Sequence, residues 1–468
     1  MKEEKTAAEI LAEKLCMNPQ NAALLMSSEE IAKADKFCEG YKEFITLCKT
    51  EREAASFAVE KAVNAGFKPF EPGVKYKPGD RVFYLHRNKA AILAVFGKKG
   101  LDNGVKIVAA HIDSPRLDLK PNPLYEDSEL ALLKTHYYGG IKKYQWTAVP
   151  LAMHGVVILK SGESLTVSIG EKDNEPKFVI NDLLPHLGAE QGKRSLSQGI
   201  KGEELNVLVG SRPFKSDKGS ELVKLNILNI LNEKYGIIEA DFLSAELEMV
   251  PAYPAADIGF DRSMIGGYGQ DDRVCAYPAL IAALECKKPE YTVVTVLTDK
   301  EETGSDGNTG LNSAYLRYFI EDIAAQQGLN GRDVLRRSEC LSADVNAAFD
   351  PTFPNVHEKM NACYLNKGVV VTKYTGSRGK GGTSDAGAEF MGKIRMLLDD
   401  GEVIWQTGEL GKVDEGGGGT VAQYIAKLDV DVVDVGVPVL SMHAPFEVVS
   451  KLDVYMAYKA FFAFGAQK

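Results

Sequence analysis

The chain has 468 residues and no apolar run approaching the ~20 residues of a membrane-spanning helix, which argues against a membrane partner. It has no excess of basic residues either. Lys and Arg number 55 against 65 Asp and Glu, for a net charge of −10 and a pI near 5.4. Nucleic-acid binding rests on a basic surface, so a nucleic-acid partner is not expected. There is no CxxC pair. Seven cysteines lie scattered at 16, 38, 48, 275, 286, 340 and 363. That odd, dispersed set fits a reducing, cytoplasmic compartment in which thiols serve as small core residues. Met1-Lys-Glu-Glu-Lys has no apolar stretch behind it and does not read as a secretion signal. No internal repeat is visible. The glycine run 416–419 lacks a following GK[ST], so it is not a phosphate loop.

What is present is an ordinary globular composition, 45% hydrophobic and 26% charged, over a length that predicts about two or three domains. Residues 1–66 read as helical, with Ser27-Ser28-Glu29-Glu30 as a helix start. Apolar runs at 90–95 and 105–110, separated by a stretch containing Asn103-Gly104, predict a β-hairpin whose second strand ends at His111. From about 117 to 250 the texture changes. Runs at 156–159 and 165–169 predict paired strands, 188–220 a long polar loop, and 222–231 a helix. Beyond 251, runs at 291–297 and 432–440 read as strands buried on both faces, separated by helical stretches such as 311–327. The expected architecture is α/β, a mostly parallel sheet flanked by helices. It is built from 1–116 and 251–468 and interrupted by an inserted domain at 117–250.

Five short motifs carry the chemistry: His111-Ile-Asp113-Ser-Pro, Gln270-Asp271-Asp272-Arg273, Asp299-Lys-Glu301-Glu302-Thr-Gly, Ser342-Ala-Asp344 and Ser441-Met-His443-Ala. Each is weak alone. Their joint placement at the ends of predicted strands, or at a helix start, is what counts, because ligands of an open α/β sheet bind beyond the strands' carboxyl ends. Asp271 begins a segment expected to be helical with a kink at Pro278. Two histidines and three carboxylates suit two zinc ions, although manganese or cobalt also accept such donors. Asp271 is the expected bridge. His111 and Asp344 would complete one site, and Glu302 and His443 the other. Asp113 would orient His111 or otherwise brace the site. Glu301 is left over as the base that takes a proton from the activated water and passes it to the leaving amine.

Taken together, these motifs resemble the aspartyl aminopeptidase / vacuolar aminopeptidase I family of dizinc metallopeptidases, over nearly the whole chain. HIDSP resembles the family's H-x-D-S-P, DKEETGS its D-x-E-E-x-G-S, SADVN its S-A-D-x, and SMHAPFE its S-M-H-x-x-x-E. Tyr138-Gly139-Gly140 followed by Trp146 resembles the segment that opens the family's inserted domain. The resemblance implies removal of single residues from peptide N-termini. It implies that 117–250 is a β-rich dimerisation domain and that the chain forms a homo-oligomer, a tetrahedral dodecamer built from dimers. It also implies that His186, within Pro185-His186, reaches a neighbouring subunit's active site. His86, His136, His154 and His357 have no such match and read as structural.

Some segments depart from the family pattern. Gln270-Asp271-Asp272 stands where eukaryotic members carry Leu-Asp-Asn, and Phe446 where they carry arginine. Residues 405–420 replace a Thr-Pro-Cys-Gly type of loop. Acidic and neutral N-terminal preferences therefore both stay open. The glycine run is expected to let backbone approach substrate closely, the alternative being a flexible turn. Two alternatives share the fold, and the first also shares the ligand set. One is a related dizinc carboxypeptidase or amidase, with Arg116, Lys373 or Arg378 as candidate cations that otherwise read as surface residues. The other is a non-catalytic assembly protein, which the retention of Glu301 and all five ligands argues against.

Overall fold

The computed structural model describes residues 5–216 and 218–467. Residues 1–4 of the expected helical segment and Asp217 of the expected polar loop lie outside the described residues. The centre is a nine-stranded sheet. Four neighbouring strands, Thr292–Thr298, Val105–His111, Glu339–Ser342 and Asp431–Gly436, all run parallel. Their sequences are buried nearly throughout, as a sheet covered on both faces requires, and all but Glu339–Ser342 are rich in β-branched residues. Alternation decides which face each residue serves. Val108 and Ala110 join the helices Ser28–Leu47, Glu51–Asn64, Gln270–Glu285, Ala388–Asp400 and Lys451–Gly465 on one side. Ile107 and Ala109 join Tyr315–Ala325, Gly331–Leu335 and Ala422–Ala426 on the other.

The register aligns the strand ends. His111 pairs with Thr298, and Ala109 with Ser342, so the motifs that follow these strands emerge at one edge.

Two smaller sheets complete the chain. Strands drawn from residues 116–251 form a seven-stranded antiparallel sheet with the helix Leu222–Tyr235 on it and a hydrophobic core of its own around Leu117, Trp146 and Met249. A five-stranded sheet joins Ala256–Ile258, Met264–Gly267, Glu447–Ser450, Pro438–Leu440 and Asn346–Ala347. Among the described residues, no helix is long and apolar enough to cross a membrane.

Four local expectations are corrected. The runs 90–95 and 105–110 are not a hairpin, because Thr292–Thr298 lies between them. The hairpin instead joins Arg81–His86 to Ala90–Val95 through Arg87 and Asn88, both at positive φ, a tight turn made without glycine. The stretch 188–220 is not all loop, since Asn206–Gly210 pairs with Leu130–Tyr138. The run 432–440 is two strands: Asp431–Gly436 stays in the large sheet, and Pro438–Leu440 crosses to the small one. The irregularity in Gln270–Glu285 lies not at Pro278 but at Asp271 and Asp272, whose dihedrals leave the helical region.

Candidate active site

Asp271 is the centre of the cluster. Its Oδ1 lies 3.1 Å from His111 Nε2, and its Oδ2 lies 3.1 Å from His443 Nε2. His443 Nε2 is also 3.6 Å from Glu302 Oε2, and His111 Nε2 is 3.9 Å from Glu301 Oε2. Leaving the helical dihedrals lets Asp271 aim its carboxylate between the two imidazoles while the helix proper starts behind it. His443 arrives by the sheet-to-sheet crossing. Its left-handed φ of 63° turns the chain sharply after Pro438–Leu440. Gly436 makes that crossing possible. A Cβ there would lie 1.7 Å from the Asp344 carbonyl oxygen, so the two segments pass at backbone contact and Asp344 is set beside the cluster.

Each imidazole is oriented through its other nitrogen. His111 Nδ1 lies 3.0 Å from the Asp113 carbonyl oxygen and 3.2 Å from Asp113 Oδ1. His443 Nδ1 lies 2.7 Å from the carbonyl oxygen of Gly140, at the edge of the 116–251 region. Asp113 is fully buried and does not line the cavity. It accepts the backbone N–H groups of Glu301 and Glu302 at 3.1 and 3.2 Å and the Tyr138 hydroxyl at 2.7 Å. Two residues that the sequence reading left out belong here. Glu447 accepts the N–H groups of Gln270 at 2.6 Å, Asp271 at 3.3 Å and His443 at 2.8 Å, tying Asp271 to His443. Asp272 accepts the His111 N–H at 3.3 Å. The only sequence signals were Glu447's place in SMHAPFE and Asp272's place beside Asp271.

Donor atoms of His111, Asp271 and Glu302 lie within 4.8 Å of one another, as do those of His111, Asp272 and Asp344. The electrostatics follow from crowding. Burial, then the charges of neighbouring carboxylates, push Glu302, Asp344 and Asp272 well above the usual carboxylate range. Burial likewise lifts Glu301 to about 7, against the attraction of His111. Asp271 is the exception. Burial would raise it, but hydrogen bonds with His111 and His443 hold it low. Burial would lower His443, yet the Glu302 charge and the Asp271 contact lift it to about 11.

Asp271, Glu301, Glu302, Asp344 and His443 line a cavity of about 440 Å³. Its remaining wall carries neutral side chains, among them Val345, Asn346, Leu410, Gln423 and Met442, and the backbone of Gly417, Gly418 and Gly419. Among the described residues, no Lys or Arg lines it. His186 is not brought to the cavity within one chain and sits exposed between Pro185 and Leu187. His86, His136, His154 and His357 do not line it either. Arg116, read as a surface residue, is buried among Asp118 at 2.8 Å, Glu248 at 3.1 Å and Glu51 at 3.4 Å. It is thus committed to the fold rather than to a substrate carboxylate.

Comparison with known proteins points the same way as the geometry. A family model described as aminopeptidase I zinc metalloprotease (M18) matches residues 44–464. A protein of Clostridium acetobutylicum named "Probable M18 family aminopeptidase 1" is 51% identical over 93% of this chain and 95% of its own length. The crystal structure of an M18 aminopeptidase from Thermotoga maritima superposes with a TM-score of 0.92, at 43% identity over 97% of this chain and 100% of that one. More distantly, the S. cerevisiae mApe1 dodecamer shares the fold, with a TM-score of 0.75 and 19% identity over 92% of this chain and 97% of that one. With a zinc-peptidase model matching nearly the whole chain and a full-length relative sharing half its residues, the chain belongs to the M18 aminopeptidase I family of zinc metalloproteases and is a metal-dependent aminopeptidase.

Proposed function

We propose that this aminopeptidase releases single residues with neutral side chains from peptide N-termini, using two zinc ions per chain and Glu301 as general base. One observation carries the reading: the two oxygens of Asp271 are divided between His111 and His443. That is the arrangement a bridging ligand needs. The donor set fits the metal. It offers imidazole nitrogen and carboxylate oxygen without thiolate. Glu302 Oε1 and Asp272 Oδ1 are buried without a hydrogen-bond partner. Carboxylates that burial and mutual repulsion push toward protonation are the ones that nearby cations would hold ionised.

In this reading His111 and Asp344 would hold one ion and Glu302 and His443 the other, with Asp271 serving both. Manganese or cobalt would suit the same donors. When bound, the ions supply Lewis-acid polarisation of the scissile carbonyl and acidify the attacking water. Glu301 faces the cavity with its backbone pinned by Asp113. Its carboxylate accepts the water's proton and returns it to the departing amine. Asp113 and the Gly140 carbonyl hold the two imidazoles in one tautomer each. The substrate's free α-amine would meet a bound ion or a cavity carboxylate, which would fix cleavage at the N-terminus. Among the described residues the rest of the wall has neutral side chains and no Lys or Arg, which supports a neutral first residue over Asp or Glu.

The division into a catalytic domain of 1–116 and 251–468 and a dimerisation domain of 117–250 is part of the same proposal, as is assembly into a tetrahedral dodecamer. The separate core of the inserted region supports the first. The fold shared with a dodecameric relative supports the second. So do Leu183, Leu184 and Leu187, each at least half exposed around His186, which in the assembly would reach a neighbour's site. Seven unpaired cysteines fit a cytoplasmic location.

A panel of aminoacyl-4-nitroanilides tests the proposal. Leu, Met and Ala substrates are expected to outrun Asp and Glu substrates, and N-acetylation to abolish turnover. Faster release of Asp or Glu would refute the neutral preference.

A further inference from the structure

The active-site cavity does not end at the glycine run. Thr375, Leu410 and Gly417 line both it and an adjoining recess of about 50 Å³. The charge reverses across that boundary. The site side carries the carboxylates, and the recess is edged by Arg378, Lys380 and Lys412. Lys380 is committed, with its Nζ 2.8 Å from Asp385 and over the ring of Tyr374. Glu409, the carboxylate of the recess, takes the Tyr374 hydroxyl. Arg378 and Lys412 have no ion-pair partner among the described residues.

The backbone that presents these two cations is fixed. Ser377 and Gly381 exchange hydrogen bonds of 3.2 and 3.0 Å around Arg378. The Lys412 N–H donates to the Val356 carbonyl at 3.0 Å, and its carbonyl accepts the Gly416 N–H at 2.8 Å. The two loops touch through the glycine run. Gly376 donates to the Gly418 carbonyl at 2.5 Å, and a Cβ on Gly417 would lie 1.9 Å from the Gly376 oxygen.

We propose that Arg378 and Lys412 form a carboxylate shelf for the departing side of the substrate, selecting peptides with a carboxylate a residue or two beyond the scissile bond. This rests on the aminopeptidase reading of the cavity. An exopeptidase must place the α-amine deep and let the rest of the peptide leave outward. Cations at the rim draw the carboxylate end of a short zwitterionic peptide outward and so leave its amine toward the site. Two unpaired cations give charge-assisted hydrogen bonds to a carboxylate. The recess has room for such a group. The carboxylate would be the C-terminus of a tripeptide or an acidic side chain of a longer peptide.

The test compares Leu-Gly-Gly as free acid and as C-terminal amide, together with Leu-Gly-Asp amide, on the metal-loaded protein and on the double variant Arg378→Gln, Lys412→Gln. The ratio of kcat/KM between acid and amide is read within each protein, so that a general loss of activity cancels. Wild type is expected to prefer the free acid by about five- to tenfold at low salt, with the preference falling toward one at high salt and in the double variant. Recovery of the advantage by Leu-Gly-Asp amide would assign the shelf to side chains as well, and its absence to the C-terminus alone. A wild-type ratio of one, or a ratio unchanged in the double variant, overturns the shelf. Failure of wild type to cleave any of the three peptides overturns the cavity reading along with it.

Discussion

Asp113 Oδ1 accepts the backbone N–H of Glu301 at 3.1 Å. The same carboxylate faces His111 Nδ1 and takes the N–H of Glu302, so one buried side chain sets both the first histidine and the acidic turn. Asp113→Asn keeps the shape but puts an amide where two N–H groups point. It is expected to lower metal affinity or kcat by about 10–100-fold with little change in KM. Metal titration beside steady-state kinetics would show it. Wild-type values in both would remove Asp113 from the account.

The proposal gives Glu301 a different job from Glu302, although the two are adjacent and both line the cavity. Glu301→Gln is expected to cut kcat by at least about 100-fold while metal content stays at the wild-type level. Glu302→Gln is expected to lose metal as well. Measuring bound metal and turnover on the same samples separates the two roles, and metal loss from Glu301→Gln would contradict the assignment.

His154 links the inserted region to the catalytic helices, 2.7 Å from Glu53 and 2.9 Å from Glu171. Burial would lower its pKa, but the two glutamates outweigh it and lift it to about 9. A raised histidine pKa gives stability that is fully present below the unfolded value of about 6.5 and is lost as pH rises through about 9. The contribution is on the order of 2 kcal/mol. Thermal melts across that window should show wild type losing more Tm than His154→Gln. Parallel curves would rule the linkage out.

Gly436→Ala drives a Cβ into the Asp344 carbonyl at the crossing between sheets. Backbone cannot yield as a flexible side chain does, so a loss of about 3 kcal/mol or more is expected, with activity falling alongside. Gly192→Ala, where a Cβ meets nothing within 4 Å, serves as the control and should leave Tm near wild type.

The site was legible in the sequence where chemistry and strand ends coincide. His111, Glu301 and Glu302 lie at the ends of two parallel strands whose burial is written in β-branched runs, whereas Asp344 follows Glu339–Ser342, which has no β-branched residue. His443 was legible as a residue and not as a path. The run 432–440 carries no mark of the break near Gly436, which exists because Asp344 passes at backbone contact. The false hairpin at 90–110 has a similar cause. Nothing local in two apolar runs records that a strand from residue 292 onward will separate them. Glu447 was legible only as the last residue of SMHAPFE, four after His443; its hold on Gln270 and Asp271 runs through backbone N–H groups 177 and 176 positions away, a contact that no spacing encodes.

Metal stoichiometry tests the bridged site most directly. Bound zinc per chain would be measured by mass spectrometry after exhaustive dialysis, for wild type and for Asp271→Asn. Because His111 and His443 meet opposite oxygens of one carboxylate, about two ions per wild-type chain are expected, and loss of both in the variant. A single ion in wild type, or two ions retained without the Asp271 carboxylate, would contradict the account.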